Sequence, residues 1–366
     1  MIIVFANPNP QHPYTVATAD QGALAGSETI QVNLARAMAR RGHTVRLLTG
    51  HPTPVTEDEV QCYPISTDAA LYQDADAIVV LNYPPFALNL RTALGDRPRI
   101  IAQETNVWPG AGRHADALAA LEHPRDTVLC LSDWHRNHFI AAGLGEERVM
   151  ALPPASDPLF ESPAADLLAD KASPVRLAYT PAPYKGLLPA LEAFALLRQS
   201  HRTAELHVYS DFKHYPANNQ HRQSPAWSAV YQRCQCTPGV HYHGTIPRPA
   251  LAQALSQCLA LLYPCVMWET AGLVVLEAQA AGCRVITSAS GALPEITGGH
   301  ADLLPPPAPG QIDPAAFAGA AAALLDQQRQ DPDAVRANLA AARAWTQRFG
   351  DWENRAVRLE RIIQAG

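Results

Sequence analysis

Two glutamates, Glu269 and Glu277, stand eight residues apart in ETAGLVVLEAQAAGCRVITSASGALPEI (269–296). On one unbroken helix that separation is about 12 Å, too far for two carboxylates to act on one small group. Gly272 changes the geometry. A helix that begins there leaves Glu269 in the loop ahead of it and places Glu277 in the early helix, its Cα–Cβ bond leaning back toward the N-terminus. Both carboxylates then flank whatever binds at the helix start. The unpaired amides of Gly272, Leu273 and Val274, at the positive end of the helix dipole, suit a phosphate. A carboxylate beside them suits the hydroxyls of a ribose or sugar. The competing reading makes Glu269 a charge that complements the dipole and Glu277 a solvated residue.

Other reactive side chains are less organised. Seven cysteines is an odd number, and Cys62, Cys130, Cys258, Cys265 and Cys283 lie in apolar segments, where they read as buried reduced thiols. Cys234 and Cys236 form a C-x-C with no second pair at ligand spacing, which reads as a surface helix end. His241 and His243 share one face of a strand and read as packing or a polar wall in preference to metal ligands. The nearest approach to a metal-binding D-x-D, Asp74 and Asp76 in QDADAIVV, precedes a strand instead of following one. No metal is expected.

The elements that must position these groups alternate. Short apolar runs at 2–6, 44–50, 77–82, 99–104, 127–132 and 149–154 are separated by helical patterns, beginning with Gly26 to Arg41. Strands spaced by helices imply a parallel sheet. Ile78 to Leu81 are continuously apolar, as in a strand covered on both faces. The segment 153–174 is rich in proline, serine and acidic residues and reads as a linker. A second series follows, with strands at 175–180, 205–210, 240–246, 259–265, 284–288 and 302–306 and helices at 187–200 and 249–257. The alanine-rich segment 314–325 and the tail 333–363 are helical, and the tail carries Trp345, Phe349 and Trp352 for packing onto a partner surface.

A chain of 366 residues is about right for two such α/β cores. The expected domains are 1–155 and 156–340, with 341–366 packing back onto the first. A net charge of −6 supplies no basic field and argues against nucleic acid. Neither a signal peptide nor an apolar stretch long enough to span a membrane is evident, so a cytoplasmic location is expected.

The 269–296 segment resembles the E-x7-E signature of the retaining glycosyltransferases of family 4. Further segments are similar to that family in the expected order: AGSETIQVNLARAMARRGHTVRLLTG (25–50), DTVLCLSDWHRNHFIAAG (126–143), YKGLLPALEAFALLR (184–198) and VHYHGTIPRPALAQAL (240–255). The resemblance covers nearly the whole chain. It implies a GT-B fold, an α/β architecture of two Rossmann-like domains facing a deep interdomain cleft.

By the resemblance, Glu277 binds the ribose hydroxyls of a nucleotide, and Glu269 faces the transferred sugar or the donor phosphate. Gly272, Leu273 and Val274 contact the sugar and diphosphate through backbone amides, and Gly244 lies beside the base. Lys185 neutralises the leaving diphosphate, and Gly26 lets the N-terminal loop approach it without a Cβ in the way. Lys185 as a solvated cap and Gly26 as a turn glycine are the alternatives. The family's arginine five or six residues ahead of the Lys-Gly pair has no counterpart in YTPAPYKG (179–186). Where relatives carry a histidine near the sugar, AQETNVWPG (102–110) offers Glu104, Asn106 and Trp108, as sugar or acceptor contacts or as a loop capping the sheet.

The implied activity is a metal-independent, retaining hexosyltransferase. It moves a sugar from a nucleoside diphosphate sugar to a hydroxyl of a glycan, lipid-linked or other acceptor, with no cofactor, in surface polysaccharide or glycolipid synthesis. A lipid-linked acceptor would add peripheral membrane contact. Leaving-group charge is the main thing to stabilise, and a lysine with a helix N-terminus supplies that. The alternatives are a sugar-nucleotide epimerase of the same fold and a non-catalytic nucleotide-sugar-binding protein. An NAD-dependent oxidoreductase would need G-x-G-x-x-G after the first strand, and IIVFANPNPQHPY lacks it.

Overall fold

The continuous apolar runs of the sequence form the strands of two separate sheets. The structure is a computed structural model that describes residues 1–8, 13–21, 24–107, 113–161, 166–169, 171, 173–212, 224–305 and 311–365. It divides into two units, Met1–Pro154 with Trp352–Gly366, and Ala155–Asp351.

In the first unit the order is β1 (Ile2–Ala6), α1 (Val16–Asp20), α2 (Gly26–Arg40), β2 (Thr44–Thr49), β3 (Val55–Glu57), β4 (Val60–Pro64), β5 (Ala77–Leu81), α3 (Pro84–Leu94), β6 (Arg99–Gln103), α4 (Arg113–Ala120), β7 (Thr127–Cys130), α5 (Asp133–Ala141) and β8 (Val149–Ala151). The sheet runs β3-β4-β2-β1-β5-β6-β7-β8. Only β3 is antiparallel to its neighbour. Every residue of β5 and of β6 is buried, as both-face coverage of a parallel strand requires. The hairpin β3–β4 has no counterpart among the strands expected from the sequence, which pass from 44–50 to 77–82.

The second unit continues with β9 (Arg176–Tyr179), α6 (Leu187–Ser200), β10 (Glu205–Val208), α7 (Pro225–Cys236), β11 (Val240–Tyr242), α8 (Arg248–Ser256), β12 (Ala260–Tyr263), α9 (Leu273–Ala280), β13 (Arg284–Ser288), α10 (Leu293–Ile296), β14 (Ala301–Leu304), α11 (Pro314–Gln330) and α12 (Pro332–Phe349). Its all-parallel sheet runs β11-β10-β9-β12-β13-β14.

The last helix, α13 (Trp352–Gln364), belongs to the first unit. There its Glu360 takes both Arg41, at 2.5 Å, and His43, at 2.7 Å, which hold its carboxyl down at about 2. The sequence placed the start of this return at residue 341. It begins instead at Trp352, because Gly350 (φ 103°) and Asp351 break the helical tail into two. Trp345 consequently stays in the second unit, its indole N–H donating to the Ile296 carbonyl at 3.0 Å, while Trp352 is buried in the first.

The described part of the expected linker is more ordered than its composition suggests. Phe160, in a 3-10 turn at Pro158–Phe160, is buried. Lys171 is 1% exposed and donates to the Gly282 carbonyl at 2.8 Å.

All seven cysteines are free, and Cys62, Cys130, Cys258, Cys265 and Cys283 are buried. Cys234 is buried as well, leaving only Cys236 of that pair at the surface. Asp74 is bound to Arg46, and Asp76 accepts from the Ile2 amide at 2.8 Å, so both carboxylates tie the turn ahead of β5 to β2 and β1 in the middle of the sheet. Among the described residues no helix is long and apolar enough to cross a membrane.

Candidate functional site

The site grows from the carboxyl ends of β9 and β12. A parallel sheet leaves these ends open to loops and helix N-termini, where ligands of α/β folds bind. After β9 the chain makes a 3-10 turn, Pro183–Lys185, and reaches Gly186. Gly186 has φ +144°, and a Cβ there would lie 2.1 Å from the Pro264 carbonyl oxygen. Only glycine allows this approach, which lets the Val266 amide donate to the Lys185 carbonyl at 3.1 Å. The Lys-Gly pair is therefore docked on the end of β12.

From β12 the chain runs through Pro264 to Glu269. Three hydroxyls on and after β13 strap this loop: Thr287 donates to the Tyr263 carbonyl at 2.7 Å, Ser288 to Cys265 at 2.9 Å and Ser290 to Met267 at 2.8 Å. The strap ends at Glu269 itself, whose carbonyl takes the Ala292 amide at 2.8 Å. Gly291 packs so closely there that a Cβ would lie 2.2 Å from that same oxygen.

Lys185 and Glu269 meet at this junction, Nζ to Oε2 at 2.8 Å, and the Tyr263 hydroxyl donates to the same oxygen at 2.8 Å. Burial pushes the Glu269 carboxyl up, but the adjacent Lys185 ammonium and these hydrogen bonds outweigh it and hold the group below its ordinary range. The pair is asymmetric in access, since the Lys185 side chain is 26% exposed and that of Glu269 8%. Met267 and Trp268, immediately before Glu269, are exposed, Trp268 to 61%.

Helix α9 begins at Leu273 behind a left-handed Gly272 (φ 72°, ψ 45°). A Cβ on Gly272 would meet a Leu293 methyl at 2.9 Å. Glu269 thus lies ahead of the helix and Glu277 inside it, and Leu273 and Val274 at its first turn are half-buried. Apart from Glu277 and Gln279 the helix is apolar, and everything from Val275 to Ala280 is buried. A carboxylate in such a place needs a partner.

That partner is Arg248, in the first turn of α8, whose Nη1 lies 2.9 Å from Glu277 Oε1. Arg248 also stands 3.6 Å from Asp157 and 4.9 Å over the Phe160 ring. Burial raises the Glu277 carboxyl above its ordinary value, and Arg248 opposes the rise without cancelling it.

The two glutamates of the signature therefore engage two different cations. The sequence reading found Lys185, Glu269, Glu277 and the Gly272 helix start, but missed Arg248, Asp157, Tyr263 and the hydroxyl strap. Arg248 lay within the quoted segment VHYHGTIPRPALAQAL, and nothing in its spacing ties it to Glu277. Gly244 is buried with φ +64°, four residues ahead of Arg248.

In the first unit, Gly26 opens α2 with an ordinary φ, and a Cβ there would meet nothing within 4 Å among the described residues. The fold itself therefore does not require glycine at this position. Glu104 is fully buried and Asn106 exposed. The Asn106 carbonyl accepts from His135 Nε2 at 3.0 Å, a contact between residues 29 apart that no local pattern relates. Trp108 lies outside the described residues.

Residues 176–327 match the family model described as Glycosyl transferases group 1. That stretch contains Lys185, Gly244, Arg248, Glu269, Gly272 and Glu277. A comparison with curated protein sequences finds no match. Among solved structures, the chain is similar to HepE of Anabaena in complex with UDP-glucose at 14% identity, covering 100% of both chains with a TM-score of 0.73. It is similar to the sucrose-phosphate synthase of Thermosynechococcus elongatus at 20% identity, covering 99% of this chain and 98% of that one with a TM-score of 0.73. WaaG, a glycosyltransferase involved in lipopolysaccharide biosynthesis, matches at 16% identity over 100% of both chains with a TM-score of 0.65. The fold is thus the GT-B fold, two parallel-sheet α/β units. The chain resembles glycosyltransferase enzymes in fold over its full length and in sequence over the stretch that holds the paired carboxylates.

Proposed function

We propose that this chain is a retaining, metal-independent glycosyltransferase that moves a hexose-like sugar from a nucleoside diphosphate sugar to an acceptor hydroxyl in surface polysaccharide or glycolipid synthesis. The observation that carries the reading is the Lys185–Glu269 pair held beside the start of α9. Cleavage of a glycosyl–phosphate bond develops negative charge on the diphosphate and positive character on the sugar carbon. A partly exposed ammonium next to the first amides of Leu273 and Val274 answers the first charge, and the Glu269 carboxylate answers the second.

Glu277, oriented by Arg248, accepts hydrogen bonds from the ribose hydroxyls, and Gly244 borders the base. Gly26 takes part in donor binding, for which its missing side chain leaves room. Glu104, Asn106 and Trp108 are held as sugar or acceptor contacts, with Glu104 acting only through its neighbours while it stays buried. The exposed Trp268 offers a face on which a sugar ring can stack. With Lys185 and the α9 helix start on the leaving group, no metal is needed there, and a donor phosphate oxygen receives the acceptor proton.

HepE of Anabaena is described with UDP and glucose, so UDP-sugars are the first donors to try, alongside guanine and adenine counterparts. The test is nucleoside diphosphate release from a panel of donors in EDTA, with and without acceptor glycans. Release that depends on acceptor, with the α-anomeric donor giving an α-linked product by proton NMR, supports the reading. Donor turnover to an isomeric sugar nucleotide without acceptor would instead identify an epimerase.

A further inference from the structure

At the free edge of the second sheet, four polar rings and a carboxylate share one face. Strands β10 and β11 are parallel, with His207 registered opposite His241. Residues two apart in extended chain point the same way, so Glu205 and His207 of β10, with Tyr209 just past its end, line up beside His241 of β11 and His243 just past its end. The imidazole of His207 stacks on His241 with centroids 4.7 Å apart and on His243 at 5.2 Å, and Tyr209 stacks on His243 at 4.6 Å.

Glu205 lies between two of the imidazoles. Its Oε2 is 3.1 Å from His207 Nε2, and its Oε1 is 3.6 Å from His241 Nε2. One ligand atom from each of the three residues falls within 4.8 Å of the others. Two nitrogen or oxygen ligands on a tetrahedral zinc ion, each at about 2.0–2.2 Å, stand roughly 3.3 Å apart. The His207 and His241 rings are stacked 23° from parallel, so closing the set around such an ion turns one ring out of the stack to bring both Nε2 lone pairs onto it.

The second ring nitrogen of His207 is already occupied. His207 Nδ1 and His243 Nε2 are 3.0 Å apart. A metal on Nε2 requires the proton on Nδ1, and His243 is placed to accept it, the outer contact that fixes ring orientation at metal-bound histidines. Arg176, on β9, lies 3.6 Å from Glu205 Oε2 and competes for that carboxylate without blocking its other oxygen.

We propose that Glu205, His207 and His241 form a binding site for a divalent cation of the zinc class, supported from behind by His243 and with its fourth position open to water. Nitrogen-rich ligands with one carboxylate select zinc and its neighbours over magnesium or calcium. The ion clips β11 to β10. That three-residue edge strand leads directly to Gly244 and Arg248, so the clip steadies the chain that carries them. It is a different set of residues from the Lys185–Glu269 and Arg248–Glu277 pairs, and its metal binding can be read without any transferase assay.

The experiment is a zinc titration of the full chain, stripped with EDTA, against a chromophoric chelator, with thermal melts and the cobalt(II) visible spectrum in parallel. Wild type is expected to take one tight equivalent, to melt higher with zinc, and to give a tetrahedral cobalt spectrum. His241→Ala, an exposed position, should melt as wild type does in EDTA while losing at least 10-fold in zinc affinity and the zinc-dependent rise. Glu205→Gln should lose affinity similarly, and His243→Ala about 10-fold. Absence of a tight equivalent in wild type, or one that survives unchanged in both His241→Ala and Glu205→Gln, overturns the proposal.

Discussion

Lys185 and Glu269, 84 residues apart in the chain, share a single 2.8 Å contact that also takes in the Tyr263 hydroxyl. Two properties follow from one geometry. The ammonium retains an exposed side from which to reach a ligand, and the buried carboxylate depends on that ammonium to stay charged.

Lys185→Ala should therefore fail twice. Loss of a cation from the leaving group is expected to lower kcat by about 10² to 10³, the range seen for removing one preorganised transition-state donor. It should also destabilise the second unit by about 3 kcal/mol, because it leaves a buried charge without its partner. The double variant Lys185→Met with Glu269→Gln regains most of the stability in urea unfolding and none of the activity. A double variant as unstable as Lys185→Ala alone would show that the pair has no such mutual dependence.

Arg248 gives the second prediction. It is the cation that opposes the burial-driven rise of the Glu277 carboxyl. A raised carboxyl is charged only above its shifted value, so nucleotide affinity should fall as pH is lowered. In Arg248→Met the rise is unopposed, and the fall moves to higher pH. Calorimetric titration with nucleoside diphosphate should show about a 10-fold loss near neutrality, worth about 1.4 kcal/mol, with recovery as pH increases. A loss that is the same at every pH would mean that Arg248 touches the ligand directly and does not act through Glu277.

These two cations also mark what the sequence could and could not convey. The strands were legible because parallel strands covered on both faces read as unbroken apolar runs, AIVVL in β5 and ALLY in β12 being examples. The β3–β4 hairpin was not, since β3 is three residues long with none buried and β4 buries only Val60 and Cys62, too little for an unbroken apolar run. Glu269, Gly272 and Glu277 were legible because local helix geometry relates them. Arg248 reaches Glu277 only through tertiary packing, with α8 and α9 brought together by a sheet order that no local pattern encodes. Thr287, Ser288 and Ser290 look like an ordinary strand end until their carbonyl partners are known. The break at Gly350 that returns α13 to the first unit was masked by helix-forming residues on both sides.

The glycines separate into two kinds by what a methyl group would meet. At Gly186 and Gly291 a Cβ would collide with backbone at 2.1 and 2.2 Å, and both have positive φ. Alanine there should destabilise the second unit by about 1–3 kcal/mol, read as a lower urea midpoint. Gly26 has neither constraint. Gly26→Val should leave the melting temperature nearly unchanged and still weaken binding of the donor. Retained donor affinity in Gly26→Val would remove Gly26 from the donor site.

His135 supplies a pH dependence that owes nothing to ligand. It is fully buried on α5, with Nδ1 accepting the Leu131 amide at 3.3 Å and Nε2 bonded to the Asn106 carbonyl at 3.0 Å. Only the neutral ring with its proton on Nε2 satisfies both contacts, and protonating Nδ1 would set two N–H groups against each other. Burial accordingly takes the group from 6.5 down to about 4, despite the favourable bond to Asn106. The unfolded chain binds this proton more readily than the folded one, so stability is fully present above about pH 6.5 and is lost progressively as pH falls to about 4. The loss amounts to something on the order of 3 kcal/mol from this group alone. Hydrogen exchange of the β7 amides, referenced to their intrinsic rates, reads it locally. His135→Gln starts less stable, because the buried contacts are imperfectly replaced, but its protection should fall less steeply between pH 6.5 and 4. Equal slopes in the two proteins would mean that the ring titrates near its ordinary value and that the Leu131 contact does not hold it neutral.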